Sequence, residues 1–402
     1  MKVTVLPFTA RGEVVAPPSK SMAHRALICG ALTRKSTIRN VAYSKDIEAT
    51  LRCLQAMGAT VLCDGDTVTI GGLDPYAIPA GARLDCGESG STLRFLIPLC
   101  LLANQPITLV GSGRLMERPL DVYRRICQEQ GIAFERADGA ITVCGRLRAG
   151  AYSVVGDVSS QFITGLLLAL SLMKEDTSLL VTGKFESESY VNLTVEAQKA
   201  FGVTVDREEN AFFVSGGQTY DGTDYTVEGD CSNAAFLDAF NLVGGSVKVL
   251  GLSGESAQGD GVYQDFYRAF SAEDRCFDLS DCPDLGPVMF ALAAALGGAE
   301  FIGTARLRIK ESDRVAAMVE ELAKFGIGAT VDDNTVCIHG GVLKKPDCDL
   351  CGHNDHRIVM ALSLLCALVG GTIDGAEAVA KSYPDYFSVI RSLGIEVHSD
   401  DI

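Results

Sequence analysis

The stretch "SSQFITGLLLALSLMKEDTSLLVTG", Ser159–Gly183, joins two hydroxyl residues, an apolar run with almost no polar stripe, a polar break and a short strand closed by glycine. A helix that is apolar around most of its circumference must be buried on most sides, and serine is a residue type that caps such a helix. The same plan returns in "SKSMAHRALICGALTRKSTI" from Ser19, "GSTLRFLIPLCLLANQPITLVG" from Gly90, "CSNAAFLDAFNLVGGSVKVLG" from Cys231, "DLGPVMFALAAALGGAEFIG" from Asp284 and "DHRIVMALSLLCALVGGTIDG" from Asp355. Five closing glycines, Gly111, Gly183, Gly251, Gly303 and Gly375, mostly recur at about 70 residues.

A second element alternates with the first, an amphipathic helix ending in glycine and followed by a strand: "LRCLQAMGATVLCD", "YRRICQEQGIAFER", "VEAQKAFGVTVDRE", "VEELAKFGIGATVDD" and "VIRSLGIEVHS". Gly58, Gly131, Gly202, Gly326 and Gly394 stand where a left-handed C-cap belongs. Each repeat is therefore one apolar helix, one amphipathic helix and several strands. Three repeats around each core predict two similar α/β domains. The break falls near "TYDGTDYTVEGD", and the first strand joins the second half through the stiff "VAPPSKS" connection. The expected domains are 1–18 with 228–402, and 19–227.

The chain has 402 residues, 21% of them charged, and no charge-poor run long enough to span a bilayer. Its start, "MKVTVLPFTARGEVV", alternates like a strand and lacks a signal peptide's apolar core, so a cytoplasmic protein is expected. The fourteen cysteines are scattered through apolar segments, which favours buried thiols over a disulfide framework. "CDLCGHNDH" brings Cys348, Cys351, His353 and His356 close in sequence, but the spacing fits a structural zinc site poorly. A net charge of −16 opposes nonspecific nucleic-acid binding while leaving room for a local cationic pocket.

What precedes each apolar helix is the functional clue. The starts "PSKSMAHR", "CGESGSTLR", "DVSSQF", "GDCSNAAF", "CPDLGP" and "NDHRIV" mix capping residues with cations. Helix N-termini present unbonded N–H groups and partial positive charge, which suit phosphate and carboxylate. If the repeats superpose, a cleft between the domains collects these ends together with Lys20, Arg25, Arg94, Arg114, Lys310, Arg314, Arg357 and Lys381. "IKESDRVAAMVEEL", from Ile309, adds a cap at Ser312 or Asp313, and capping does not explain the flanking Lys310 and Arg314. Taken singly, Ser21 or Ser159 reads as a helix cap and Arg118 before Pro119 as a solvated charge. No G-x-x-x-x-G-K-[ST] or strand-borne G-x-G-x-x-G is present.

The motifs "PSKSMAHRAL", "SGSTLRFL", "GSGRLMERPL", "DVSSQFITGLL", "RIKESDRVAAM", "NDHRIVMAL" and "KSYPDYF" resemble, in order along almost the whole chain, the signatures of the 5-enolpyruvylshikimate-3-phosphate synthase family. The resemblance implies an α/β fold of two domains, each of three βαβαββ-type repeats around buried helices in an inverse α/β barrel-like arrangement, with a substrate cleft between them. It implies transfer of the enolpyruvyl group from phosphoenolpyruvate to the 5-hydroxyl of shikimate 3-phosphate, with phosphate released. It also implies a monomer that uses no metal, organic cofactor, nucleic acid or membrane.

Carried over by position, Ser21, Arg25, Ser159, Ser160, Gln161, Ser187, Tyr190, Asp284 and Lys310 resemble the shikimate 3-phosphate contacts. Lys20, Gly90, Arg114, Gln161, Arg314, Arg357 and Lys381 resemble the phosphoenolpyruvate contacts. Lys20, Asp284 and Glu311 are the implied catalytic residues, with Asp284 at the attacking hydroxyl and Glu311 at the methylene proton. Two departures stand out. Glu88 replaces the amide residue common beside the donor site, and it is expected to pair with Lys20 or Lys381 or to point away; Arg306 stands where some members have asparagine. The rival readings are the sister transferase acting on UDP-N-acetylglucosamine and a catalytically silent anion-binding paralogue. The absence of cysteine from "GSGRLMERP" disfavours the first.

Overall fold

The computed structural model describes residues 1–271 and 275–399. The chain forms two compact units, Met1–Pro17 with Gly229–Ile402, and Pro18–Glu228. Each is built on three buried helices: Lys20–Ala31, Gly90–Cys100 and Ser160–Leu170 in one, Cys231–Leu242, Gly286–Leu296 and His356–Val369 in the other.

The Ser160–Leu170 repeat shows the plan. Strand Ala151–Val155 enters the helix, and Thr177–Thr182 returns parallel to it. The amphipathic helix Glu188–Ala200 follows, and the hairpin Asp206–Glu208 with Ala211–Val214 adds antiparallel to the sheet. This is a βαβαββ unit. Arg83–Cys144 and Cys276–His339 repeat it within their own four-stranded sheets. Two repeats are completed by distant chain: Asp224–Thr226 pairs parallel with Ser36–Arg39, and Lys2–Val5 lies between Gly371–Asp374 and Val397–Ser399. The Cys231–Leu242 repeat has a two-stranded sheet, Arg11–Val15 with Ser246–Leu250, among the described residues.

The buried helices carry the cores. Phe162, Ile163, Leu167, Leu168 and Leu170 are 0% exposed, and each such side chain contributes about 1.5–3 kcal/mol on burial. Leu167→Ala would cost about 2–5 kcal/mol through lost transfer energy and a cavity. Gly165 lets this helix approach Gly90–Cys100, since a Cβ there would collide with the Arg94 carbonyl and the Tyr123 hydroxyl. The amphipathic helices end as expected: Gly58, Gly131, Gly202, Gly326 and Gly394 all have positive φ. Among the described residues, no helix is long and apolar enough to cross a membrane.

Candidate active site

In the unit containing Gly229–Ile402, one helix-start cluster is organised around Asp284. This residue lies in the Pro283–Leu285 turn that leads into Gly286–Leu296. Its carboxylate accepts from Arg314 Nη1 at 2.9 Å, Arg357 Nη2 at 2.9 Å and Lys310 Nζ at 3.3 Å. Arg357 also donates to Ser232 Oγ at 2.9 Å, tying the starts of all three buried helices of this unit together.

Arg314 opens the amphipathic helix Arg314–Lys324, capped by Asp313, whose carboxylate accepts from Ala316 N at 3.0 Å. That placement answers the capping question raised by "KESDR" and releases the flanking charges for other work. Arg314 donates to Asp355 Oδ2 at 2.8 Å and to Glu311 Oε2 at 2.8 Å, in addition to Asp284. One guanidinium thus holds the two carboxylates expected to act as base and acid. Asp355 is itself the N-cap of His356–Val369 and also accepts from Ser312 Oγ at 3.0 Å. Lys381 Nζ donates to the Asn354 carbonyl at 2.6 Å.

The electrostatics follow from this packing. Burial would push the Asp284 carboxyl up, but Arg357, Lys310 and Arg314 overcome it and hold the group well below the usual carboxylate range. Burial likewise opposes ionisation of Asp355, and Arg314 outweighs it. Burial draws the Lys310 ammonium down, with Asp284 opposing and Arg314 and Arg306 adding to the fall. Arg306, the departure noted in the sequence, is thereby placed within electrostatic reach of Lys310.

The other unit holds a second set. Lys20, at the first position of its helix, pairs with Asp46 at 2.8 Å. Ser89 caps Gly90–Cys100, and a Cβ on Gly90 would stand 2.8 Å from Arg118 Nη1 and 3.4 Å from both Arg94 Nη1 and Gln161 Oε1. Gln161 accepts from Arg94 at 2.7 Å and donates to Ser91 Oγ at 3.0 Å. Ser159 caps the helix that begins at Ser160. Ser187 is buried in the left-handed region at φ 54, a conformation unusual for serine and a mark of a constrained site.

Arg25 is buried and bonded to its own fold: Nε to Thr194 Oγ1 at 2.9 Å, Nη1 to Ser21 O at 2.7 Å, and Nη2 to Tyr190 O at 2.7 Å. Burial pulls its pKa down to about 10. It therefore orders Ser21 and Tyr190 as well as supplying charge. Arg114 lies at the surface with its side chain 54% exposed, and its nearest carboxylate is Glu117 at 3.9 Å. Glu88 packs on the neighbouring loop, where a Cβ on Gly113 would stand 2.5 Å from its Oε2.

Sequence reasoning missed several members. Arg118 reads as a solvated charge, yet the structure puts its guanidinium beside Gly90. Asp355 was visible only as a residue near a helix start, and Asp46 was not singled out in the sequence at all. A buried chain from His24 through Thr50 and Thr92 to Ser89, with steps of 2.8, 2.6 and 2.8 Å, had no sequence signal because its members come from three helices. The four residues of the "CDLCGHNDH" cluster are not brought together as one ligand set: among the described residues, the group close enough to share an ion is Glu320, Glu321 and His353.

The family profile described as EPSP synthase (3-phosphoshikimate 1-carboxyvinyltransferase) matches residues 7–390. A 3-phosphoshikimate 1-carboxyvinyltransferase from Clostridium kluyveri is 40% identical over 98% of both chains, and one from Clostridium acetobutylicum is 37% identical over 98% of both. In three dimensions an EPSP synthase from Acinetobacter baumannii superposes with a TM-score of 0.80 at 23% identity, covering 99% of this chain and 100% of that one.

Proposed function

Because this chain belongs to the EPSP synthase family, we propose that it transfers the enolpyruvyl group of phosphoenolpyruvate to the 5-hydroxyl of shikimate 3-phosphate. The observation that carries the reading to these residues is Arg314, which binds Asp284 and Glu311 on its two terminal nitrogens. Asp284 takes the hydroxyl proton as its oxygen attacks the donor's C2. Glu311, protonated once the donor's anionic groups draw Arg314 away from it, delivers that proton to the methylene carbon, so the former double-bond electrons form the new C–H bond of a tetrahedral adduct. Return of a methyl proton to the Glu311 carboxylate and departure of phosphate restore the double bond in the product.

Two anionic substrates side by side repel each other unless cations and N–H dipoles are preorganised around them. Lys20, Arg114, Arg314, Arg357 and Lys381, with the Gly90 helix start and Gln161, meet this demand for the donor. Ser21, Arg25, Ser159, Ser160, Gln161, Ser187, Tyr190, Asp284 and Lys310 serve the acceptor. Arginine suits both phosphate and carboxylate because its planar fork engages two oxygens. No proposed step is assigned to a metal or organic cofactor, and the chain acts as a cytoplasmic monomer.

The test is phosphate release measured with both substrates and with each omitted in turn, with and without chelator. Release that needs both and survives chelation is expected. Turnover with UDP-N-acetylglucosamine in place of shikimate 3-phosphate, or none with either acceptor, would overturn the reading.

A further inference from the structure

Glu321 lies in the last turn of the same helix that Arg314 opens, far along it from the reacting groups, and its side chain is 0% exposed. Four contacts satisfy its carboxylate. Lys324 Nζ donates to each oxygen at 2.9 Å, Cys351 N donates to Oε2 at 3.0 Å, and the His353 ring lies 2.9 Å from Oε1 through Nε2. An ionised carboxylate only accepts, so Nε2 carries the proton in that last bond. Burial opposes ionisation of Glu321, but His353, Lys324 and the Cys351 N–H hold its carboxyl below the ordinary range.

The segment gripped in this way leads directly into the proposed site. After strand Leu350–Cys351, both His353 and Asn354 adopt left-handed backbone, at φ 48 and 52, and Asp355 then caps the next helix. Two consecutive non-glycine residues in that region persist only where their surroundings over-determine them. The turn aims the Asn354 carbonyl at Lys381 Nζ, 2.6 Å away, and the Asp355 carboxylate at Arg314 Nε, 2.8 Å away. One helix therefore holds the segment at two points: Glu321 grips Cys351 and His353, and Arg314 grips Asp355.

We propose that Glu321 and His353 are positioning residues for the donor site, strapping the 351–355 turn so that Asn354 and Asp355 present Lys381 and Arg314 in their working geometry. The inference rests on the proposed function for the identity of the donor. A cation shared by Glu320, Glu321 and His353 is the competing reading of the same cluster, but the Lys324 ammonium already sits on both Glu321 oxygens.

The test compares His353→Phe, which keeps an aromatic ring without the N–H, with His353→Gln, whose amide can restore a donor near Nε2. Glu321→Gln is the second removal variant, informative if His353→Phe fails to fold. Each full-length protein is titrated calorimetrically with phosphoenolpyruvate and assayed for the KM of each substrate, for kcat and for Tm. His353→Phe and Glu321→Gln should weaken phosphoenolpyruvate binding by about ten- to a hundredfold, the loss expected when one charge-assisted hydrogen bond to the donor is spoiled. The KM for shikimate 3-phosphate should change much less, and His353→Gln should recover most of the loss. Donor affinity within about twofold of wild type in both removal variants would overturn the proposal. So would equal damage to both substrates in step with Tm and without rescue by glutamine, or donor binding restored by an added divalent metal. Failure of the wild-type chain to turn over would instead overturn the functional reading, because the calorimetric comparison does not depend on turnover.

Discussion

Asp284 Oδ1 accepts from Arg314 Nη1 at 2.9 Å, with the Arg314 side chain only 1% exposed, and the same carboxylate carries Lys310 and Arg357. A carboxylate held by three cations is well ionised but a weak base. Under the proposed function, an anionic donor that competes for Arg314 and Arg357 would loosen that hold and make Asp284 more basic, so that binding one substrate would prepare the group that activates the other.

The pH profiles test this coupling. The acid limb of kcat/KM for phosphoenolpyruvate reports the free enzyme and should lie at lower pH than the limb of kcat, which reports the complex. Coincident limbs would show that the donor leaves the Asp284 contacts in place.

Glu311→Gln keeps the size of the side chain and removes its proton chemistry. Turnover should fall by about 10²–10⁴-fold, with far smaller changes in substrate binding. Near-normal kcat would remove Glu311 from the mechanism.

Arg314→Leu strands Asp355, whose side chain is 0% exposed, beside Glu311 and Asp284 without their shared cation. Breaking a buried pair in this way costs about 3–5 kcal/mol, to be read from urea unfolding. Arg314→Lys should rescue only part of the loss, since one ammonium cannot reproduce a fork spread over three carboxylates. Full rescue would show that charge alone suffices.

Gly90→Ala places a methyl 2.8 Å from the end of the Arg118 side chain, a flexible group that can yield. The protein should fold with Tm close to wild type, while the KM for phosphoenolpyruvate rises several-fold, about 1 kcal/mol of donor binding, and kcat changes less. An unchanged KM would place Gly90 and Arg118 outside the donor's reach.

Stability should fall with acid in two steps. Burial, with help from Lys20 and Arg25, keeps the His24 pKa well below its ordinary value, so only the unfolded chain gains that proton below about pH 6.5. Asp284, Asp355 and Glu321 have depressed pKa values, so their contribution is present above about pH 4 and is lost as pH falls through the folded values. Denaturant melts across this range should show both losses, and His24→Asn should flatten the first. A first step that survives the substitution would assign it to another group.

Six buried helices, the serine and aspartate caps of five of them, and five glycine-terminated amphipathic helices were legible in the sequence, because periodicity, capping and left-handed turns are decided within a few residues. The clustering of cations at helix starts was legible for the same reason. Which carboxylate each cation meets was decided only by the tertiary structure: Lys20 finds Asp46 across 26 residues, Arg314 finds Asp355 across 41, and Arg357 finds Asp284 across 73. Charge attracts without regard to chain position, so the packing of helix on helix, within a repeat or between repeats, selects the partner. The same packing turns Arg118 from a surface charge into a neighbour of Gly90 and joins His24 to Ser89 through two threonines of other helices.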